Sequence, residues 1–529
     1  EKLYTTIMAD GEAVDVQKVY GTQSNYMYAF EIKNVPTGAT IYTRSYIKLT
    51  DETVIYGDIR EITAPTSKSS TQVIRQYRSA AETRVAEIRS TESQIVPAEG
   101  ATAYYFSNNG SSDNDGTSKE TPLATLEDLN NLTLQEGDVV YFERGSLWRG
   151  TIHAQTGVTY TAYGEGDKPM FYASPENGSG EGKWKEVQDN IYQYSTTIVE
   201  DVGGIVFNEG EFWGIKKIPV DDGTGVMVDN ATREVFSDYT DLKSSFDFHY
   251  DLTDNQLYLY YDGGNPGEVF ESIEFCVNTS VIDVQSVDNV MFDNLCIKYT
   301  GQMGIGSSSI YEGLSVMNCE FGWIGGSLME PGSSPTRYGN AIQIWGSAYN
   351  FVVDNCYFYQ IYDAALTWQK SSSSNTNITS IADGVAFTNN VIEYCNYSIE
   401  YFYSEGEIEE CYMKNITFSG NHMWYAGQGF CAQRPKITAS HIKSWTHPNN
   451  IADGGYFEIT DNIFAFSTVN LLETYSVTGI SPNYSGNVYI QNEDGKLGFT
   501  GSESKSIALT ESNVTDVFGD TEAEVIIVK

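Results

Sequence analysis

Val353-Asp354-Asn355-Cys356-Tyr357-Phe358 is one of six similar hexapeptides in the C-terminal half of the sequence. Most of them carry Asn or Asp at the third position, between apolar residues at the first and the sixth. A second short apolar segment follows each hexapeptide, as Ala365-Leu-Thr-Trp368 follows this one. The other five hexapeptides are Phe292-Asp-Asn-Leu-Cys-Ile297, Val316-Met-Asn-Cys-Glu-Phe321, Phe387-Thr-Asn-Asn-Val-Ile392, Phe418-Ser-Gly-Asn-His-Met423 and Ile459-Thr-Asp-Asn-Ile-Phe464.

A strand, a polar corner and a second strand, repeated with loops of variable length, are typical of stacked parallel coils. An Asn at such a corner adopts the left-handed conformation readily and can bond to the Asn of the next coil, which forms a ladder. The repeat therefore predicts an all-β protein with a right-handed parallel β-helix over residues 99–529. Longer alternating strands at about residues 180–275 predict a β-rich insertion into it.

The N-terminal part of the chain has a different pattern. Residues 1–64 alternate apolar and polar residues around turn signals, which predicts a small β-sandwich that resembles fibronectin III-like accessory modules. Residues 65–98 begin with a Pro/Ser-rich stretch, and Val73, Tyr77 and Ala81 then recur at helical spacing, which predicts a linker with a helix. Neither segment carries a cluster that indicates chemistry.

The charge balance restricts the partners. The 529 residues include 31 Lys and Arg against 71 Asp and Glu, a formal net charge of −40. Such a surface repels nucleic acids, anionic membranes and acidic polysaccharides, so a neutral carbohydrate is the expected partner. No run is apolar and long enough to insert into a membrane. Residues 1–20 do not resemble a signal peptide, so a secreted or cell-surface location is expected from composition and fold alone.

The seven cysteines do not indicate a metal or redox site. No pair has the CxxC spacing, and an odd number excludes a complete set of disulfides. Cys296, Cys319 and Cys356 flank the repeated corner, where we expect them to pack into the core. The predicted chemistry requires no cofactor, and the sequence leaves open whether the fold holds a structural Ca²⁺.

Long insertions beside one sheet of a β-helix usually mark its functional side. Residues 325–339, 369–383 and 434–454 all flank the same stack of second strands, at Ile342, Leu366, Ile399 and Phe430. This convergence predicts a groove over that stack.

Within the groove, strand alternation places Gln343, Thr367 and Glu400 outward in one column, with Asp363 one coil before Glu400. A glycosidase requires one carboxylic acid and one carboxylate, so Asp363 and Glu400 are the predicted catalytic pair. On straight strands their offset of four residues adds about 13 Å. The pair therefore requires a bend near Asp363; otherwise Glu330 or Glu393 would have to act as the partner of Glu400.

Other side chains of the groove are candidates for binding sugar. The aromatic candidates offer flat faces to sugar rings, although strands favour aromatic residues anyway. The polar candidates offer hydrogen bonds to hydroxyl groups. The aromatic candidates are Trp345, Trp368, Tyr401 and Trp445, of which Trp368 can instead belong to the core. The polar candidates are Gln343, Gln433, Arg434, His441 and His447, and a role in loop structure is the stronger expectation for the two histidines.

Three segments carry a family resemblance. Arg337-Tyr-Gly-Asn-Ala-Ile-Gln-Ile-Trp-Gly346, Gln360-Ile-Tyr-Asp-Ala-Ala365 and Tyr397-Ser-Ile-Glu-Tyr-Phe402 resemble β-helix carbohydrate-active proteins of gut Clostridia. In layout the chain is similar to lacto-N-biosidases and, less closely, to β-helix xylosidases and fucosidases. The resemblance implies hydrolysis of a neutral host or plant glycan. The paired aspartates of galacturonases are absent.

Two other functions fit the same scaffold. A polysaccharide lyase would use an Arg or Lys base, for which Arg434 and Lys370 are candidates, often with Ca²⁺ bound to acidic residues. A non-catalytic glycan-binding or adhesive protein would line its groove with aromatic residues and lack a close pair of carboxylates.

Overall fold

The computed structural model describes residues 7–9, 12–14, 17–20, 28–31, 40–43, 46–48, 53–63, 70–307, 311–370, 380–403, 411–446, 449–477 and 480–528. The chain divides into two compact units, Glu1–Arg78 and Ser79–Lys529. It is nearly all β, with 45% of the residues in strands and 11% in helices.

The first unit contains four antiparallel strand pairs among its described residues. Tyr46–Lys48 pairs with Val54–Tyr56 in a hairpin. The other pairs are Ile7–Ala9 with Glu12–Val14, Gln17–Tyr20 with Tyr28–Glu31, and Thr40–Thr43 with Arg60–Thr63. The small β-sandwich stays a prediction, because half of residues 1–64 lie outside the described residues.

Two large, mostly parallel sheets build the second unit, and the chain passes repeatedly from the smaller to the larger one. We call one such passage a coil. The smaller sheet contains Ala103–Phe106, Val139–Glu143, Thr159–Tyr163, Val290–Asp293, Tyr311–Glu312, Leu314–Met317, Ala348–Tyr349, Val352–Asp354, Ser380–Thr388, Cys411–Ser419, Phe457–Thr460 and Asn483–Ser485.

The larger sheet begins with Leu147–Arg149, Ile152–His153, Met170–Tyr172, Val202–Phe207, Phe212–Trp213, Ile273–Val277, Ile282–Asp283, Cys296–Thr300, Ile305–Ser307 and Glu320–Ile324. It continues with Ile342–Trp345, Tyr357–Lys370, Val391–Tyr403, His422–Ala426, Ser440–Ser444, Ile463–Ser467, Asn470–Tyr475, Val488–Asn492, Lys496–Gly501, Ile507–Ala508 and Glu524–Val528.

The corner between the two sheets is the repeated element of the sequence. Its third position is left-handed in every coil, with φ of 52° at Asn355 and 68° at Gly420, for example. The next position faces inward and forms a buried amide ladder, in which Asn390, Asn421 and Asn462 each donate to the side chain of the following coil at 2.9–3.1 Å. Cys319 and Cys356 occupy this inward position in the preceding coils, and both are completely buried.

An antiparallel subdomain interrupts the stack between Met170–Tyr172 and Cys296–Thr300. Its five-stranded sheet contains Trp184–Gln188, Ile191–Tyr194, Gln256–Tyr260, Asp247–Asp251 and Ile215–Lys216 in that order. Pro219–Asp221 pairs with Met227–Asp229, and Ser327–Leu328 pairs with Arg337–Tyr338 in the long segment of the later coil. Arg337 Nη2 of that segment donates to Gly203 O of the larger-sheet strand Val202–Phe207 at 2.8 Å, and Asn230 Nδ2 of the subdomain donates to Pro335 O of the segment at 3.4 Å.

Helices are few among the described residues, and none is long and apolar enough to cross a membrane. The longest is Ser70–Ser90, at the position where the spacing predicts one. Near its end Arg89 makes two 2.9 Å bonds to Glu320 of the larger sheet. The others are Leu126–Asn131, Asn208–Gly210, Tyr239–Asp241, Pro266–Val269, Gly429–Gln433, Glu511–Asn513 and Val514–Phe518.

Candidate functional site

One outward column of the larger sheet carries most of the polar groups of the candidate site. Strand pairing aligns Gln343 with Thr367, Thr367 with Glu400, Glu400 with Lys443 and Lys443 with Glu473. The residues before the first three are Ile342, Leu366 and Ile399, which are completely buried in the core. The alternation of a β-strand therefore turns the column away from the core.

Asp363 reaches the same surface through a bulge. Ile361 pairs with Cys395, but Ala364 pairs with Tyr397, so the strand Tyr357–Lys370 holds one extra residue between these pairs. Such a bulge bends its strand and re-aims the side chains within it. Asp363 lies in the bulge, and its negative charge is one of the two main causes that raise the pKa of Glu400. The strand Tyr357–Lys370 is thus bent at Asp363, while Glu400 lies on the neighbouring strand Val391–Tyr403.

Glu400 is a buried carboxyl group in an environment that favours its neutral form. Its side chain accepts hydrogen bonds from Trp445 Nε1 at 2.6 Å and from Thr367 Oγ1 at 3.5 Å. Burial, followed by the charge of Asp363, raises the pKa of Glu400 to about 8, against the opposing effects of Trp445, Arg434 and Lys443. At neutral pH this residue therefore carries a proton that it can donate.

Asp363 has a cationic partner instead. Arg434 Nη1 donates to Asp363 Oδ1 and to the carbonyl of Tyr362, both at 3.0 Å. The guanidinium groups of Arg434 and Arg337 lie 5.0 and 4.3 Å from the ring centre of Tyr362. The Asp363 side chain keeps 18% of its surface exposed, so it is open to solvent while Glu400 is not.

Lys443 is the second cation beside the acids. It forms an ion pair with Glu473 and lies 4.4 Å from the ring centre of Trp445 and 5.9 Å from that of Tyr397. Arg434 and Lys443 are therefore each neutralised by a protein carboxylate. Neither stands as an unpaired base or as an unpaired anchor for an acidic sugar.

Amide and aromatic side chains lie near the acids, on the strand Ile342–Trp345 and on the two strands that carry Asp363 and Glu400. Gln343 Oε1 accepts from Asn340 Nδ2 at 2.6 Å and from Gln369 Nε2 at 3.2 Å. Trp345 and Phe402 are partly exposed, with their rings perpendicular and their centres 6.4 Å apart.

Three residues that the sequence suggests for sugar binding belong to the core, so that interpretation is wrong for them. Trp368 and Tyr401 are at most 2% exposed and stack on each other at 5.2 Å between their ring centres. His441 is completely buried between Ser398 Oγ and the carbonyl of Ala465. Burial lowers the pKa of His441 to about 3, so it remains neutral.

The other predicted sugar-binding residues either lie near the two acids or hold the surrounding structure together. Gln433 uses its amide to bond Arg337 Nη1, Lys216 N and Gly214 O, which makes it a structural contact with the antiparallel subdomain rather than a sugar ligand. Arg434 and Trp445 bond the two acids directly, and Gln343 and Trp345 lie on the strand Ile342–Trp345 of the same sheet. His447 lies outside the described residues, as does the side chain of Lys370.

The two alternative partners for Glu400 are elsewhere. Glu330 is exposed in the first long segment. Glu393 is buried, and its carboxyl group accepts a hydrogen bond from Tyr357 OH at 2.6 Å. It pairs with Tyr359, so it precedes the bulge that holds Asp363.

Tyr397, Lys443 and Asn340 also lie near the two acids, and sequence reasoning did not single them out. Asn340 Oδ1 accepts from Ala364 N at 2.8 Å and so holds the backbone beside Asp363. Lys443 could have been found by extending the column of Gln343 and Glu400 by one coil. Among the described residues, no group of three or more His, Cys, Asp or Glu side chains is arranged to hold a metal ion.

No family model matches the chain, and no curated protein matches it. Among solved structures, the complex of XylC with xylose is 11% identical over 80% of this chain and 83% of that one, with a TM-score of 0.41. The GH136 lacto-N-biosidase from Eubacterium ramulus is 13% identical over 76% of this chain and 57% of its own, with a TM-score of 0.34. A rhamnogalacturonan lyase is 10% identical over 77% and 78%, with a TM-score of 0.28.

Proposed function

We propose that this chain is a glycoside hydrolase that acts on a neutral oligo- or polysaccharide, with its site on a right-handed parallel β-helix. The observation that carries the proposal is the contrast between two nearby acids. Glu400 is buried, with its pKa raised to about 8, while Asp363 is partly exposed and ion-paired with Arg434. Two carboxyl groups in unlike environments are what glycoside hydrolysis requires.

The roles follow from these environments. Glu400 donates its proton to the oxygen of the glycosidic bond as that bond breaks. Asp363 either attacks the anomeric carbon, and water later releases the sugar, or takes a proton from the water that attacks directly. The first course retains the anomeric configuration and the second inverts it, which proton NMR of the first product formed distinguishes.

The charges around the site support a neutral substrate. Arg434 and Lys443 already have carboxylate partners, and the chain carries a formal net charge of −40. An acidic sugar would have to compete with Asp363 and Glu473 for these cations, which is unfavourable. This observation also disfavours Arg434 and Lys443 as the base of a lyase, which must be free to take a proton from the substrate.

Activity on a panel of neutral oligosaccharides tests the proposal, with Asp363→Asn and Glu400→Gln as the site variants. Glu393→Gln is a matched control, because Glu393 is a buried, hydrogen-bonded acid of the same strand Val391–Tyr403. We expect both site variants to lose at least about 100-fold in kcat and the control to keep its activity. Full activity in both site variants would refute the assignment. Binding without turnover by the unmodified protein would favour a glycan-binding role, and products with near-UV absorbance would favour a lyase.

We propose that the first glycan to test is one of the kind that lacto-N-biosidases hydrolyse. We also propose that the protein is secreted or held at the cell surface. Residues 1–64 are then an accessory domain. Removal of residues 1–64 would then leave the hydrolysis of small soluble substrates unchanged.

A further inference from the structure

Three successive levels lie along the strands that carry the candidate site. The first level holds Asp363 and Tyr397, which lie beside each other because Ala364 pairs with Tyr397. The second holds Gln343, Thr367 and Glu400. Two residues further on, the third holds Trp345, Gln369 and Phe402, which strand pairing also aligns. Two residues of a strand span about 7 Å, which is comparable to the length of one sugar unit.

The amide of Gln343 is held in one orientation at the second level. Its Oε1 accepts two hydrogen bonds, from Asn340 Nδ2 at 2.6 Å and from Gln369 Nε2 at 3.2 Å. Its Nε2 therefore points away from these donors, and no acceptor among the described residues is bonded to it. The side chain is partly exposed, so two N–H groups are available to an oxygen atom of a ligand.

Trp345 and Phe402 add aromatic surface at the third level. Both are partly exposed, unlike Trp368 and Tyr401, which are buried on the inward side of the same strands. A sugar ring can pack its C–H face against such a surface, while the amide of Gln343 reaches its hydroxyl oxygens.

The two acids give this surface a direction. In glycoside hydrolysis the acid lies beside the glycosidic oxygen, and the second carboxylate lies beside the anomeric carbon. With Glu400 as the acid and Asp363 as the second carboxylate, the anomeric carbon lies at the first level and the leaving oxygen lies at the second. The sugar that leaves is then placed at the third level.

We propose that Gln343, Trp345 and Phe402 form the subsite for the leaving-group sugar, so that the substrate lies along the strands and not along the stack of coils. This inference rests on the proposed hydrolase function. The sugar that is attacked then contacts Asp363 and Arg434, whose side chains are partly exposed.

Glycosyl fluorides test the subsite, because fluoride is a single atom and leaves the subsite empty. The probes are the neutral oligosaccharide that the unmodified enzyme cleaves and the fluoride of the same glycone sugar. We expect Trp345→Ala to lower kcat/KM on the oligosaccharide by about 10- to 100-fold and to change it less than about threefold on the fluoride. Gln343→Met should give the same split, and Trp345→Phe should restore most of the activity.

Two controls separate the explanations. Tyr456→Ala removes an exposed aromatic residue that precedes a strand of the smaller sheet, and it should affect neither substrate. Arg434→Lys, at the level of Asp363, should lower activity on both. Equal losses on both substrates, or no loss, in Trp345→Ala and Gln343→Met would overturn the subsite while leaving the hydrolase assignment intact. If the unmodified protein cleaves no neutral oligosaccharide of the panel and no glycosyl fluoride, the proposed function itself is refuted.

Discussion

Glu400 makes the pH dependence of the proposed reaction predictable. A general acid works only while it holds its proton, so activity should fall as the pH rises through about 8, the pKa that burial and Asp363 give this residue. The bond from Trp445 lowers that pKa, and Trp445→Phe should therefore move the basic limb to higher pH. The measurement is kcat/KM between pH 5 and 10, at about half-unit intervals. A basic limb that persists unchanged in Glu400→Gln would assign it to another group.

Ionisation of Glu400 should lower the stability of the fold at alkaline pH. Because the pKa of Glu400 rises from 4.5 to about 8 on folding, the folded state binds the proton more tightly than the unfolded state. The stability that this proton provides is complete below pH 4.5 and is lost as the pH rises to about 8. We expect Glu400→Gln, which stays neutral, to be more stable than the unmodified protein at pH 9, with a smaller difference at pH 5. Urea unfolding at both values measures the difference, and Glu393→Gln is the control.

The sequence predicts which residues share the outward column, but it does not predict the bulge that holds Asp363. Alternation places Gln343, Thr367 and Glu400 in one column, because the period of two is local to each strand. Alternation also turns Trp368 inward, since it follows the outward Thr367, so its indole belongs to the core and offers no surface to a sugar. The bulge at Asp363 is not predictable in this way, because it depends on the pairing of two strands about thirty residues apart.

At the scale of the element, the inward amide ladder should contribute much of the stability of each corner. The side chain of Asn421 accepts from the backbone and side chain of Asn390 and donates to Phe387 O and Asn462 Oδ1, at 2.8–3.0 Å. Asn421→Ala leaves these buried groups unpaired, so we expect a loss of about 3 kcal/mol in the free energy of unfolding.

A matched variant separates the ladder from the corner itself. Asn389 is the exposed left-handed residue of the preceding corner, with φ of 56°. Asn389→Gly keeps that conformation accessible and should cost less than about 1 kcal/mol. Similar losses for Asn421→Ala and Asn389→Gly in urea unfolding would contradict the ladder as the main contribution.

The sequence anticipates the corner better than the ladder. The third position of the hexapeptide predicts a left-handed residue, and every coil has one there. The longest run of bonds, however, uses the fourth position, from Asn390 through Asn421 and Asn462 to Asn487. Two cysteines precede this run in earlier coils, so sequence similarity alone does not reveal that Cys356 and Asn390 are equivalent.

For the whole molecule, charge should select the substrate more strongly than shape. With a formal net charge of −40, the protein should cleave neutral glycans at a rate that depends little on ionic strength, because an uncharged ligand is not repelled. Polygalacturonate should be neither hydrolysed nor converted to products with near-UV absorbance, at low or moderate salt. Reducing-sugar and absorbance assays run side by side test both statements. Turnover of the acidic polymer that increases with salt would contradict the preference for neutral substrates.

The architecture follows from the sequence where a motif repeats. Six hexapeptides predict the parallel stack because each coil uses the same corner, whereas the antiparallel sheet of residues 184–260 has no repeated motif and is expected only as β-rich. Its contact with the site through Gln433 joins residues more than two hundred positions apart, which no local pattern indicates.

The amide ladder also affects how such a chain can change in length. Asn421 and Asn462 make the same kinds of bonds to their neighbours, so these two coils present equivalent hydrogen-bonding groups at this corner. A duplicated coil inserted between them would meet its own contacts on both sides, without new core residues. The gene could thus gain or lose a coil at this corner while Asp363 and Glu400, in other coils, keep their places.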